Sequence, residues 1–385
     1  MRERGAYLRD AVDHTAGGSS ICPDRPWERS GRLIASSYQE VVLSELSFLR
    51  RSRLPHLAAG TVVAVVALLS SQPSMAASAA PLPPASVHPY GSIAPGTQFY
   101  IDPDTKVMQW DAANAGDSRE PVIAAKIASQ PQAIWFSSWD PTTVTSDVAA
   151  VTGPAAAAGQ TPVLVIYEIP NRDCGGASAG GAPDIPTYDT YIQDFSKGLG
   201  TGQVVIILEP DSLALQSCLS ASDATARDGA LAQAVTTLKG ADPNAKVYMD
   251  AGHSAWNAAS DQASRLAAAG VAGSDGIFSN VSNYMTTSDE VSYDKSVLAA
   301  LGGTSNLHIV VDTSRNGAGP APGDPWCDPS GRAIGVNPTA STGDPEVDAY
   351  LWVKPPGEAD GCADAAGVFD PALAYALATN PGAGG

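Results

Sequence analysis

The sequence predicts an α/β fold built on a parallel sheet of about seven strands that closes as a barrel. Three observations carry this. Short β-branched runs recur along the chain, Ala-rich segments with helical spacing separate them, and charged residues fall directly after most of the runs.

The runs in order are Ala133–Phe136, Val163–Tyr167, Val204–Leu208, Lys246–Met249, Gly276–Ser279, His308–Val311 and Tyr350–Val353. Between them lie helical segments such as Ala221–Lys239 and Ser260–Ala269, and Pro371–Ala378 forms a final one. Strands that are apolar throughout belong to a sheet covered on both faces, which favours parallel pairing. Seven in one continuous series suit a barrel better than two sheets. The chain shows no internal repeat and no separate binding module.

The third observation concerns chemistry. Asp173 follows the second run, Glu209 and Asp211 the third, Asp250 and His253 the fourth, Asp312 and Arg315 the sixth, and Lys354, Glu358 and Asp360 the last. In an α/β barrel the loops after the strands share one face, so these groups converge there. Singly, each has a plainer reading. Asp211 after Pro210 could cap the next helix, and Arg172–Asp173 could be a surface ion pair. Five groups on one face make an active site.

Composition narrows the partner. Charged residues make up 16% of the 385, with 37 Gly and 30 Pro, as in a loop-rich exported enzyme. Beyond residue 79 there are 13 Lys and Arg against 33 Asp and Glu, a net charge of −20. Such a surface repels nucleic acid and anionic lipid, so a neutral substrate is expected. Arg50, Arg51 and Arg53 precede the apolar run Leu57–Leu69, and Ala76-Ala77-Ser78-Ala79-Ala80 follows. A basic segment, a short apolar core and an A-x-A site form a signal peptide over 50–79. Thirteen apolar residues are too few for a comfortable membrane span. Arg50-Arg51 also permits a twin-arginine route. Residues 1–49 read as an N-terminal extension from a start assigned too early, 80–95 as a Pro/Ala-rich linker, and 96–385 as a single catalytic domain. Of five cysteines, Cys22 would be lost with the leader. Cys174, Cys218, Cys327 and Cys362 would then pair in an oxidising compartment, in any of three ways. None has metal-ligand spacing and there is no H-E-x-x-H, so neither a metal nor a cofactor is expected.

Seven ordered segments carry a more specific signal: YEIPNRDCGGASAGGA (167–182), EPDSL (209–213), DAGHSAW (250–256), SNVSNY (279–284), DTSRNG (312–317), WCDPSGRAIG (326–335) and WVKPPGEADG (352–361). Together they resemble glycoside hydrolase family 6, the inverting cellulases, from about Phe99 onward. The resemblance implies a distorted seven-stranded (β/α) barrel. It places the proton donor on Asp211, the aspartate that raises the donor's pKa on Asp173, the base (acting directly or through water) on Asp360, and the sugar-distorting tyrosine on Tyr167. Trp256 and Trp326 would stack glucose rings, Lys354, Glu358 and Asn283 would bind sugar hydroxyls, and His253 would orient Trp256. Arg172 and Arg315 would hold Asp173 charged, and Asp250 would support the site. Several relatives carry a serine six residues after the first aspartate, where this chain has Ala179. Either Ser178 or backbone carbonyls would then hold the water.

With the resemblance in place, Cys174 is expected to pair with Cys218 and Cys327 with Cys362. The chemistry is consistent, since inversion needs an acid and a base on opposite faces of the sugar. The acid needs a neighbouring like charge to stay protonated near neutral pH. Only fourteen residues separate Asp173 from Tyr188, and about ten separate Asp360 from the last helix. Loops this short leave the cleft open, so an endo-β-1,4-glucanase is expected, acting as a secreted monomer on cellulose or another β-1,4-glucan. The alternatives are an exo-acting cellobiohydrolase of the same family and a non-catalytic glucan-binding relative. The latter would be free to lose Asp211 or Asp173. The paired glutamates or D-x-x-D-x-D-x-E run of xylanase and chitinase barrels are absent.

Overall fold

The computed structural model describes residues 93–303 and 306–382. The expected export signal, Cys22 and all but residues 93–95 of the expected linker lie outside them. Seven strands, β1 (Ile134–Phe136), β2 (Val163–Ile166), β3 (Val204–Leu208), β4 (Ala245–Asp250), β5 (Gly276–Ser279), β6 (His308–Asp312) and β7 (Val347–Leu351), lie side by side in chain order. Every pair is parallel. The first and last strands do not form a ladder, but the two edges meet. The Ala133 N–H donates to the Trp352 carbonyl at 3.0 Å, and the Trp135 indole donates to the Val353 carbonyl at 2.7 Å. The sheet is therefore curled into the distorted barrel that the sequence implies.

Helices fill the connections: α1 (Lys106–Ala113), α2 (Glu120–Ile123) running into a π-turn at Ala124–Ala128, α3 (Val144–Ala158), α4 (Ile185–Lys197), α5 (Ala221–Ala241), α6 (Ala259–Ala268), α7 (Thr287–Ala300) and α8 (Pro371–Thr379). Their starts follow from sequence chemistry. The side chains of Asp184, Ser220, Thr286 and Asp370 each accept a backbone N–H in the first turn of α4, α5, α7 and α8. In α4 the buried Tyr188, Tyr191, Ile192 and Phe195 make one apolar stripe.

Alternation along the strands makes two cores. Leu164, Ile166, Ile206, Leu208, Val247, Met249, Ile277 and Val311 face the helices, whereas Val163, Val165, Val205, Ile207, Tyr248, Phe278 and Val310 fill the lumen. Both faces are covered, which is why the strands read as unbroken apolar runs. No helix of the described residues is long and apolar enough to cross a membrane.

One strand departs from expectation. β7 begins at Val347 and ends at Leu351, three residues earlier than Tyr350 and two short of Val353. Asp348 interrupts its apolar pattern, yet it is buried and satisfied by the Tyr248 hydroxyl and by His308. At the other end Val353 leaves the ladder, because its N–H turns to the Asp312 carboxylate.

The tightest point of the sheet is Gly276 on β5, paired with His308 on β6. A Cβ there would sit 1.9 Å from the His308 carbonyl oxygen, which is backbone and cannot step aside. Gly276→Ala should therefore cost about 3 kcal/mol, the upper range for an overpacked core. Urea unfolding reads this directly. An unchanged midpoint would show that the β5–β6 ladder can part there.

Candidate active site

The site is built on backbone that cannot pair with itself. Past the strand ends the loops turn sharply, and their N–H groups need acceptors. Buried carboxylates supply them. Glu209, directly after β3, accepts the Glu168 N–H at 3.0 and 2.9 Å and the Ile169 N–H at 2.9 Å. Asp250, closing β4, accepts from Leu213 (3.0 Å), Ala214 (2.8 Å) and Gly252 (3.0 Å). Asp312, closing β6, accepts from Ser314 (2.9 Å), Val353 (3.2 Å) and Lys354 (2.9 Å). All three are 2% exposed or less. Glu209 and Asp312 belong to the strand-end groups that the sequence offers as reactive, but the structure commits them to holding loops. Asp250 holds the turn that carries Asp211.

These loops carry backbone strain. Asn171 (φ 56°), Asp173 (51°), Cys174 (48°), Glu209 (53°), Asp211 (67°), Asn280 (66°) and Ser282 (60°) are all left-handed and all follow β2, β3 or β5. Non-glycine residues in this region cost of order 1 kcal/mol each and concentrate at functional sites. Gly176 closes the first loop, since a Cβ there would meet the Asp173 carboxylate at 2.5 Å.

Within that loop Ser178 is the bridge. Asp173 accepts both its N–H and its hydroxyl at 2.9 Å, and the Ser178 Oγ lies 3.0 Å from the Tyr167 hydroxyl. Ser178, next to Ala179, thus joins Asp173 to Tyr167. Tyr167 is buried against the Trp135 edge, with ring centroids 5.6 Å apart. Burial raises its phenol pKa well above the usual value, and the charges of Asp211 and Asp173 add to this. The phenol therefore stays protonated. Asp211 and Asp173 are each only half-buried, on the same rim.

The arginines are not where the resemblance puts them. Arg172 donates to the Ser178 carbonyl (2.8 Å), the Ser137 carbonyl (2.9 Å) and the Tyr167 carbonyl, and stands 3.6 Å from Glu168. None of these bonds reaches Asp173, so Arg172 shapes the loop and covers the Tyr167 ring at 4.7 Å. Arg315 is 1% exposed and pairs with Asp360 at 2.8 Å, not with Asp173. The reason is topological. Arg315 follows β6, whose neighbour is β7, and Asp360 lies on the loop after β7.

Asp360 is enclosed. Lys354 Nζ stands at 3.1 Å, the Tyr284 hydroxyl at 3.2 Å, and Asp328 accepts the Asp360 N–H at 2.8 and 2.9 Å. Burial alone would raise the pKa of this carboxyl, but Arg315 and Lys354 outweigh it and hold it below the usual range. Lys354 is thereby engaged on Asp360 and on the Ala359 carbonyl, and Glu358 is paired with Lys106 at 2.9 Å. Both side chains expected to meet sugar hydroxyls already have protein partners. Asn283, half-buried, donates to the Val281 carbonyl at 3.0 Å.

Trp256 and Trp326 are half-exposed, unlike the core tryptophan Trp352 at 1%. The His253 ring lies 5.2 Å from the Trp256 ring. Disulfides join Cys174 to Cys218 and Cys327 to Cys362, with Cα separations of 5.9 and 5.8 Å. They fasten the loops of Asp173 and Asp360. Sequence reasoning assigns no role to Trp135, Tyr284 or Asp328. Tyr284 stands in the SNVSNY segment, and Asp328 two residues after Trp326, so position offered a signal. Among the described residues no group of three or more His, Cys, Asp or Glu is placed to hold a metal ion.

Comparison with known proteins places this geometry. Residues 94–385 match the model for glycosyl hydrolases family 6. The chain is 48% identical over 331 residues to Endoglucanase A of Thermobispora bispora, covering 86% of this chain and 70% of that protein. It is 51% identical over 274 residues to Endoglucanase 1 of Streptomyces sp. (strain KSM-9), covering 71% and 76%. It also resembles the structure of endoglucanase Cel6 from Mycobacterium tuberculosis in complex with methyl-cellobiosyl-4-deoxy-4-thio-β-D-cellobioside. That match has 42% identity and a TM-score of 0.68, over 73% of this chain and 96% of that one.

The buried acids set a pH dependence of stability. Burial pushes Glu168 up to about 7, and Glu209 up to about 8 against the two N–H groups it accepts. An acid whose folded pKa is raised favours folding in its protonated form. That contribution is intact below its ordinary value of 4.5 and is lost as pH rises through the folded value. The melting midpoint should therefore decline between about pH 5 and pH 8 on account of these groups. Glu168→Gln should flatten the lower part of the decline in calorimetric scans across that range. Parallel curves for variant and parent would show that Glu168 does not contribute.

Proposed function

The chain belongs to glycosyl hydrolases family 6 and is a glycoside hydrolase; from that premise we propose an endo-β-1,4-glucanase that hydrolyses internal bonds of cellulose or a related β-glucan with inversion. The observation that carries this reading is the hydrogen-bonded series Asp173–Ser178–Tyr167 at the strand-end rim, to which the loop after β3 brings Asp211. Asp211 donates the proton to the leaving oxygen. Asp173, on the same rim, supplies the negative charge that keeps the donor protonated near neutral pH. Tyr167, rigid between Arg172 and Trp135, presses on the sugar at the cleavage point.

Asp360 is ionised and enclosed by Arg315 and Lys354, so it receives the proton of the attacking water through intervening water, not by direct contact. Trp256 and Trp326 present faces for glucose rings, whose axial C–H surfaces are apolar. The endo assignment is supported by the short segments after Asp173 and Asp360 and by the names of the relatives. Two disulfides suit an oxidising compartment, and the net charge of −20 beyond residue 79 suits a neutral polymer. The protein acts outside the cell as a monomer.

On carboxymethylcellulose, viscosity should fall steeply while few reducing ends have formed. Proton NMR early in the reaction should show the α-anomer first; initial β product would overturn inversion. The acid assignment has its own test. A glucose hydroxyl leaves poorly without a proton, whereas dinitrophenolate leaves unaided. Asp211→Ala should cost about 10²–10⁴-fold on cellulose and far less on a dinitrophenyl cello-oligosaccharide. It should also remove the basic limb of the pH profile. Equal losses on both substrates would remove Asp211 from the role and bring Asp173 forward.

A further inference from the structure

One buried cation lies behind the two carboxylate loops and touches both. Arg227, in the second turn of α5, is 3% exposed. Its Nη1 donates to the Ser212 carbonyl at 3.1 Å, and its Nη2 to the carbonyls of Pro170 at 2.8 Å and Asn171 at 3.1 Å. Ser212 adjoins Asp211, and Asn171 lies two residues before Asp173. The same loops are clasped from their N–H side by Glu209, which follows β3 and holds Glu168 and Ile169 of the segment after β2. One segment, 168–171, is thus gripped by an acid on its N–H groups and an arginine on its carbonyls. Both grips are anchored to the loop that carries Asp211.

A buried guanidinium costs several kcal/mol to desolvate unless its donors are matched. Three carbonyls in strained, left-handed turns provide that match, and those turns have no ladder to bond instead. The charged and titratable groups facing Arg227 are Glu209, Asp228, Tyr167 and Tyr188. By contrast Arg265 of α6 bonds the carbonyls of Leu213 and Ala214 alone, so it steadies one loop without linking two.

We propose that Arg227 is a positioning residue for the hydrolysis, holding the loop of Asp173 and the loop of Asp211 at the separation the reaction needs. This rests on the reading of Asp211 as the acid and Asp173 as the charge that tunes it. Arg227 itself never meets substrate. Loosening the clasp lets the two carboxylates drift apart, which weakens proton donation and lowers the donor's pKa together. A displacement of about 1 Å at this distance from the chemistry can cost about 10²-fold.

The test compares Arg227→Lys and Arg227→Gln with the parent and with Asp211→Ala, each assayed well below its own melting midpoint. Lysine keeps the charge but its single ammonium cannot span both loops. If the glutamine variant does not fold, the lysine variant carries the test. On an unactivated cello-oligosaccharide kcat should fall by about 10–10²-fold with little change in KM. The loss should be smaller on the dinitrophenyl substrate, and the basic limb of the pH profile should move to lower pH. A merely structural arginine would lower the melting midpoint and leave both the pH limb and the ratio between the two substrates at parental values. That result overturns the proposal. The two readings fail separately. Equal losses for Asp211→Ala on both substrates would sink the acid assignment and this inference with it. Normal leaving-group rescue in Asp211→Ala beside unaltered profiles for the Arg227 variants would sink this inference alone.

Discussion

The whole rim depends on buried carboxylates that accept backbone N–H groups from neighbouring loops. Where a parallel strand ends, its ladder stops and the next residues have donors with no partner. Glu209, Asp250 and Asp312 each gather two or more of these donors from segments far away in the chain. Asp328 does the same for Asp360, Cys362 and Ala363. A hydrogen bond of this kind contributes about 0.5–1.5 kcal/mol net, and leaving the buried donor unmatched costs about 1–3 kcal/mol. The strained turns at Asn171, Asp173, Glu209 and Asp211 persist because such bonds over-determine them.

This arrangement divides the acids by depth. Glu209, Asp250 and Asp312 sit at the strand ends with their oxygens committed. One or two residues farther along the chain, Asp211 stands half-exposed on a turn that Asp250 holds from below. Asp173 is half-exposed too, steadied by Ser178. Asp360 is intermediate: at the rim, yet 7% exposed and matched by two cations. The acids thus sit in three distinct environments. Asp211 and Asp173 are partly exposed at the rim, while cation pairing holds Asp360 ionised.

Two features of the rim have physical explanations. Ala179 lacks the hydroxyl that several relatives supply, but Ser178 places its Oγ between Asp173 and Tyr167. A shift of one position is possible because the loop is glycine-rich and turns tightly around the Asp173 carboxylate. The arginines are redistributed for a different reason. Arg172 is drawn to carbonyls of its own loop and of the segment after β1, and Arg315 is captured by Asp360 across the β6–β7 edge. Neither outcome could be foreseen from spacing, since both depend on which strand ends lie side by side.

Sequence by itself determined the strand series, the parallel class, the cysteine pairs implied by family resemblance and the identity of the rim segments. Apolar periodicity is local, and the seven motifs carry their order with them. It placed β7 at Tyr350–Val353 instead of Val347–Leu351, where the buried Asp348 is matched by Tyr248 and His308. Only the tertiary structure decided which strand-end acids hold backbone and which are left partly exposed at the rim. Asp250 meets the Leu213 N–H across 37 residues of sequence, and Glu209 meets the Glu168 N–H across 41. Whether a carboxylate faces water or an orphan donor is set by partners that distant, and no local pattern records them.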